Sequence, residues 1–362
     1  MKSNDEGKEA RKTESKQQNR IFIPILCLLM IILVGCALYL AHWGRSKAVS
    51  AAATPAPATT VPMRTYVSKF AQTPVPTLPA PYLDSPAPAT LPGASPTSAP
   101  TPAGLLGGKY SWRFSDKEVL TDHTYSNPTV SISWDMYRDE INYNRPVTFF
   151  VADILVQDIS SLRTAFAKKE YLLGGIKSME EISKSNDCII AISGDFARWH
   201  DNGIIVRNGE LFRSLRLTSD LCVLYRDGTM ETYEPGSVTN QEIFEKDIWQ
   251  SWHFGPELLD HDGLPKTKFN STVLGNNPRS VIGYYEPGHY CFVLVDGRQG
   301  TYSGGLNMQE LSVLMYTLGC VRAYNLDGGA TAHMTWCGEL VNSPKNSRKL
   351  HDVICVCFPT KE

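Results

Sequence analysis

Hydrophobic and polar positions divide this chain into three stretches of different character. Residues 21–43, IFIPILCLLMIILVGCALYLAHW, form one apolar run. Residues 44–108 are mostly Ala, Pro, Thr and Ser with few charges. From 109 to 362, short apolar runs recur between polar and glycine-bearing turns. Runs of this length and spacing predict strands at Thr129–Trp134, Val147–Val156, Cys188–Ile192, Leu221–Tyr225, Ser280–Tyr285, Cys291–Val295 and Val353–Phe358. Asn208-Gly209 and Pro287-Gly288 lie between pairs of such runs and predict two hairpins. Helical spacing appears over Ser161–Lys169, Ser178–Ser185 and Met308–Leu318, the last with Asn307 as N-cap and Gly319 as stop. The expected fold class is α+β (mixed α/β): a single large domain around a mainly antiparallel sheet with helices.

About 20 apolar residues suffice to cross a bilayer as a helix. Lys2, Lys8, Arg11, Lys12, Lys16 and Arg20 precede the apolar run, and basic residues on that side predict a cytoplasmic N-terminus. The expected order is a basic tail at 1–20, a signal anchor at 21–43, a disordered linker at 44–108 and a folded domain at 109–362. The domain is expected outside the cell membrane, tethered through a single pass. Leu33-Val34-Gly35-Cys36 also fits a lipoprotein processing box, but the apolar run continues through Ala41, which favours the anchor. The linker cannot bury enough apolar surface to offset its ordering entropy, and its prolines favour an extended stalk.

Composition then narrows the function. A formal net charge of -2 gives no basic footprint for nucleic acid. Of nine cysteines, two lie in the apolar run. The other seven make no C-x-x-C pattern with histidines, so spacing predicts no zinc site and buried free thiols are expected. No cofactor motif appears.

Four stretches interrupt apolar runs with glycine and charge. Ser193-Gly194-Asp195 ends a predicted strand. Arg279 follows Asn277-Pro278 at a strand entrance, where a guanidinium can fork onto a phosphate. Asp296-Gly297-Arg298 opens a glycine-rich loop that leads into a helix N-terminus, a suitable place for an anion. Asp327-Gly328-Gly329 precedes Thr331 and His333, and the glycine pair lets backbone approach a ligand closely. Each stretch alone reads most simply as an ordinary turn or surface ion pair. Together they place three aspartates and two arginines at predicted strand ends.

The ordered series AISGDF, GIIVRNGELFR, HFGPELL, NPRSVIG, VLVDGRQGTYSGGLNMQELSVLM and LGCVRAYNLDGGATAHM resembles the phosphodiester glycosidase family over about Asn142–Val356. The resemblance implies hydrolysis of a sugar 1-phosphodiester at its glycosidic bond, on surface or exported glycans. It implies catalytic roles among Asp195, Asp296 and Asp327. It implies substrate contacts from Ser193, Gly194, Arg279, Arg298, Gly328, Gly329, Thr331 and His333; no ligand spacing argues for a metal at the aspartates, and none is expected. Phosphate is a good leaving group, so such a reaction needs cations for the phosphate and carboxylates for the sugar centre or the attacking water. Ser193 stands where the family usually has asparagine. Ala330-Thr331-Ala332-His333-Met334 stands where it reads Gly-Ser-Ser-Thr-Met. These two departures motivate an alternative expectation, a domain that binds envelope glycans or wall polymers without turnover.

Overall fold

The computed structural model describes Arg64–Thr65 and residues 104–140, 142–168, 171, 175–197 and 201–359. The predicted tail, anchor and nearly all of the linker lie outside the described residues. Among the described residues no helix is long and apolar enough to cross a membrane.

The architecture is largely β and mostly antiparallel. One sheet runs in the order Arg322–Asn325, Arg279–Glu286, His289–Val295, Val147–Val156, Val130–Asp139, Thr124–Ser126, Val119–Leu120, with Arg64–Thr65 parallel to Val130–Asp139. A second runs Glu339–Leu340, Met334–Trp336, Cys188–Ser193, Asp352–Cys357, Leu162–Phe166. A three-stranded sheet (Met230–Tyr233, Leu221–Tyr225, Ile248–Trp252) and the hairpin Ile204–Arg207/Glu210–Ser214 complete it.

The continuous apolar run Val147–Val156 is strand over its full predicted length, and it lies between Val130–Asp139 and His289–Val295. Buried on both faces, it has no need of a polar alternation. Both predicted hairpins form. Asn208 and Gly209 take φ of 53° and 82°, the left-handed pair that a two-residue turn between right-twisted strands demands. Gly288 takes 87° after Pro287.

Helices are few, so the helical share expected of an α+β domain is smaller than the sequence reading had it. Met179–Ser185 and Met308–Thr317 form where predicted, each opened by a capping box, Ser178 with Glu181 and Asn307 with Glu310. The helix expected over Ser161–Lys169 is instead the strand Leu162–Phe166, entered through a short 3-10 turn that Asp158 caps. Its five residues pair along Asp352–Cys357, and that pairing overrides a local pattern too short to decide between strand and helix.

The core follows from these layers. The helix Met308–Thr317 buries Met308, Leu311, Leu314 and Met315 against Val281, Val293 and Phe149 of the larger sheet. The helix Met179–Ser185 covers Ala191, Val353 and Cys355 of the five-stranded sheet. The two sheets meet at one corner, where the Asp327 N–H donates to the Gly194 carbonyl at 3.0 Å.

Candidate active site

Register creates the acidic site at that corner. Cys188–Ser193 and Asp352–Cys357 are antiparallel neighbours with Ser193 opposite Val353. The first strand therefore ends, in Gly194 and Asp195, where the second begins, at Asp352. Asp327 arrives from the edge strand Arg322–Asn325 of the other sheet. Ser193 locks it there, its hydroxyl donating to the Asp327 carbonyl at 2.7 Å. Gly194 is required by crowding, since a Cβ there would stand 2.3 Å from Asp352 Oδ1. Three carboxyl groups and a fully buried guanidinium thus share one corner.

Arg207, from the hairpin, ties this cluster together. Its Nη2 donates to Asp195 Oδ1 at 2.6 Å and its Nε to Asp352 Oδ2 at 3.2 Å. Nη1 donates to the carbonyls of Val206 and Ser251. Asp195 also accepts the His253 backbone N–H at 2.9 Å and that of Ala197 at 3.2 Å. A buried ion pair needs this many partners to offset desolvation. Burial pushes Asp352 up to about 6; Arg207 opposes the rise, and Asp195 adds to it. Burial likewise pushes Asp327 up to about 6, against the pull of Arg348.

Arg348 supplies the exposed cation. Its Nη2 donates to Asp327 Oδ2 at 2.7 Å, and about half of its side chain faces solvent. Its guanidinium lies 4.7 Å from the centre of the Phe196 ring. Phe196 holds φ of 61°, a left-handed value that costs a non-glycine residue roughly 1–2 kcal/mol. Strain of this kind, next to a charged cluster, accompanies functional positions. A cavity of about 20 Å³ opens here, with Asp327, Asp352, Phe196, Lys349 and His351 in its wall. That is room for a water against two carboxylates, not for a sugar ring.

The four sequence stretches are contiguous, but their charged ends do not all reach this cavity. Asp296 stands in a separate polar nest: it accepts from Asn342 Nδ2 at 2.7 Å, the Ser343 N–H at 2.9 Å and the Tyr302 hydroxyl at 3.1 Å, and burial raises its pKa. The Arg279 backbone lies beside Gly328, yet its guanidinium turns away to the carbonyls of Leu306, Val273 and Gly275. Burial, with Arg298 nearby, lowers its pKa to about 10. Arg298 is exposed, bonded to Asn277 Oδ1 at 2.9 Å, and stands over Gly329.

Gly328 is pressed against the Pro278 carbonyl, 2.7 Å from where a Cβ would be, and Gly329 holds φ of 65°. The Thr331 hydroxyl closes this turn onto the Gly328 carbonyl. His333 is buried, its Nε2 3.1 Å from the Ser347 hydroxyl, and burial lowers its pKa. Arg207, Asp352 and Arg348 were not singled out in the sequence. Arg207 lies within the motif GIIVRNGELFR, where an arginine at the inner end of an apolar run was the available sign.

The family model described as phosphodiester glycosidase matches residues 186–357. The chain is 26% identical over 191 residues to the SPbeta prophage-derived uncharacterized protein YomE of Bacillus subtilis (strain 168), covering 49% of this chain and 29% of that protein. It is 24% identical over 211 residues to the N-acetylglucosamine-1-phosphodiester alpha-N-acetylglucosaminidase of Bos taurus, covering 50% of this chain and 39% of that one. The chain therefore spans well under half the length of these two relatives. In fold it is similar to the zebrafish N-acetylglucosamine-1-phosphodiester alpha-N-acetylglucosaminidase catalytic domain auto-inhibited by pro-peptide. That match has a TM-score of 0.52 at 19% identity and covers 64% of this chain and 85% of the other. Residues 186–357, where the chain matches the phosphodiester glycosidase model, contain all three clustered aspartates together with Arg207 and Arg348.

Proposed function

We propose that this domain hydrolyses the glycosidic bond of a sugar 1-phosphodiester, with Asp327 and Asp352 as the reacting carboxylates. The observation that carries the reading is their common cavity, water-sized and walled in part by Lys349, with Arg348 bonded to Asp327 beside it. The phosphate is received by Arg348, which is half exposed and forks naturally onto an anion. Arg348 takes the part that the resemblance implied for Arg279. Asp327, beside Arg348, faces the anomeric carbon as positive charge develops there. Asp352 takes a proton from the attacking water. Asp195 and Arg207 position Asp352 rather than touch substrate. Phosphate leaves as an anion and needs little protonation, so both carboxyl groups work ionised. Turnover accordingly rises with pH through about 6, the value to which burial raises Asp327 and Asp352.

The test is release of N-acetylglucosamine from a simple alkyl diester of N-acetylglucosamine 1-phosphate, with the phosphomonoester measured as the second product. Asp327→Asn and Asp352→Asn should each reduce kcat at least about 100-fold. Unchanged turnover in either variant removes that residue from the reaction. Binding of the diester with no sugar released would instead leave a glycan-binding domain.

The apolar run at 21–43 and the basic residues before it support a single-pass anchor with this domain outside the cytoplasm, acting on surface or exported glycans. Protease added to intact cells should then remove the domain while leaving cytoplasmic markers whole. Protection of the domain until the membrane is broken would reverse the topology.

A further inference from the structure

Three cysteines meet at the end of the five-stranded sheet away from the acidic corner. Cys355 and Cys357 are two apart on one strand, so their side chains share a face. A bulge brings in the third. Val356 pairs with Ile190, and the register then shifts so that Cys357 opposes Cys188 rather than Ile189. Without that extra residue Cys188 would point to the opposite face of the sheet. With it, Cys355 Sγ and Cys357 Sγ are 3.5 Å apart, Cys357 Sγ and Cys188 Sγ are 3.9 Å apart, and all three sulfurs lie within 4.8 Å of one another.

The two separations at Cys357 match the edge of a metal-centred tetrahedron. With Zn–S bonds of about 2.3 Å, the sulfurs on one face of a tetrahedron stand about 3.8 Å apart. No local spacing announces this cluster, because Cys188 lies 169 positions before Cys357. We propose that Cys188, Cys355 and Cys357 form a Zn(II) site, three thiolates with water as the fourth ligand on the half-buried Cys357 side. Binding releases the three thiol protons and transfers no electrons. Three thiolates and Zn(II) carry one net negative charge, and Arg163, directly across the sheet from Cys355, offsets it.

The consequence for the domain is mechanical. The strand of Cys188 ends in Ser193, next to Asp195, and the strand of Cys357 begins at Asp352. Zinc would pin together the two strands that carry those carboxyl groups, roughly 10–23 Å from them at about 3.3 Å per residue.

The experiment uses the full chain, purified reduced and metal-free in detergent, titrated with Zn(II) and separately with Co(II) as the spectroscopic probe. The expected result is about one ion per chain, with a sulfur-to-Co(II) charge-transfer band in the near ultraviolet. Cys357→Ser, at the half-buried and least disruptive position, and Cys188→Ala should each weaken binding at least about 10-fold. The double variant C291S/C320S, which removes the other close thiol pair (Sγ atoms 3.6 Å apart), should bind normally. The proposal is overturned by the absence of the band, by a band that persists in Cys357→Ser and Cys188→Ala, or by a Cys188–Cys357 disulfide in peptides from the unreduced chain. The readout is metal and not turnover, so failure here leaves the proposed hydrolysis standing.

Discussion

Arg207→Met isolates the electrostatic logic of the acidic corner. The wild-type guanidinium is fully buried and makes ion pairs with Asp195 and Asp352, whose side chains are 0% and 5% exposed. Removing one partner of a buried pair costs about 3–5 kcal/mol, because the remaining charge has no water to turn to. Asp195 keeps the His253 and Ala197 N–H groups. Asp352 loses its cation and escapes by holding a proton. Its folded pKa, already raised to about 6, would climb further.

The sign follows from linkage. A carboxyl group whose folded pKa lies above its unfolded value binds more protons in the native state, so stability falls as pH rises between the two values. In the wild type that loss ends near pH 6. In Arg207→Met it continues upward, at about 1.4 kcal/mol per pH unit. At about pH 5 Asp352 is protonated in both proteins and drops out of the comparison. At about pH 7.5 the variant should be roughly 2 kcal/mol worse, relative to wild type, than at pH 5. Urea melts of both proteins at the two pH values measure the difference. A variant penalty under about 1 kcal/mol, or one equal at both pH values, would mean that Arg207 does not hold these carboxyl groups charged.

Three further substitutions separate reacting groups from scaffold. Gly194→Ala would drive a methyl into Asp352 Oδ1; kcat should fall at least about 10-fold while stability falls by about 1–3 kcal/mol, read by rate assays and urea melts. Arg348→Ala removes the cation that holds the Asp327 pKa down. Its KM for a phosphodiester should rise, and the acidic limb of its pH–rate profile should move to higher pH; an unmoved limb would refute the pairing. Arg279→Lys cannot reproduce the hydrogen bonds to the carbonyls of Leu306, Val273 and Gly275. It should lose about 1–3 kcal/mol of stability with KM little changed, and a KM that rises alone would return Arg279 to the phosphate.

Much of the fold was legible because its strands are apolar on both faces and its turns are punctuated. Val147–Val156 and Leu221–Tyr225 form over their predicted spans, since their β-branched and aromatic residues, bounded by polar ones, favour a buried strand. Asn208-Gly209 specified its hairpin through backbone preference alone. Leu162–Phe166 was misread because five residues hold too little periodicity; what makes it a strand is its partner at Asp352–Cys357, almost two hundred positions away.

The same asymmetry explains the site. Asp195 and Asp327 were visible because each sits beside glycine at the end of an apolar run, a local signature of backbone brought close to something. Arg207 and Asp352 have no such signature. They are charges inside strands, at positions where the pattern alone would call for an apolar side chain, and they are tolerated because each neutralises the other. A buried charge in a strand is therefore a statement about an unseen partner elsewhere in the chain. Asp296, beside Gly297, and Arg279, behind Pro278 at a strand entrance, make the converse point: both were expected at a site, yet their side chains are engaged by Asn342, Ser343 and Tyr302 in one case and by backbone carbonyls in the other. Glycine-flanked charge marks where backbone must pass closely. Whether the charge then faces solvent or braces the turn depends on which loop packs against it, and loop packing across two sheets has no local signature in the sequence.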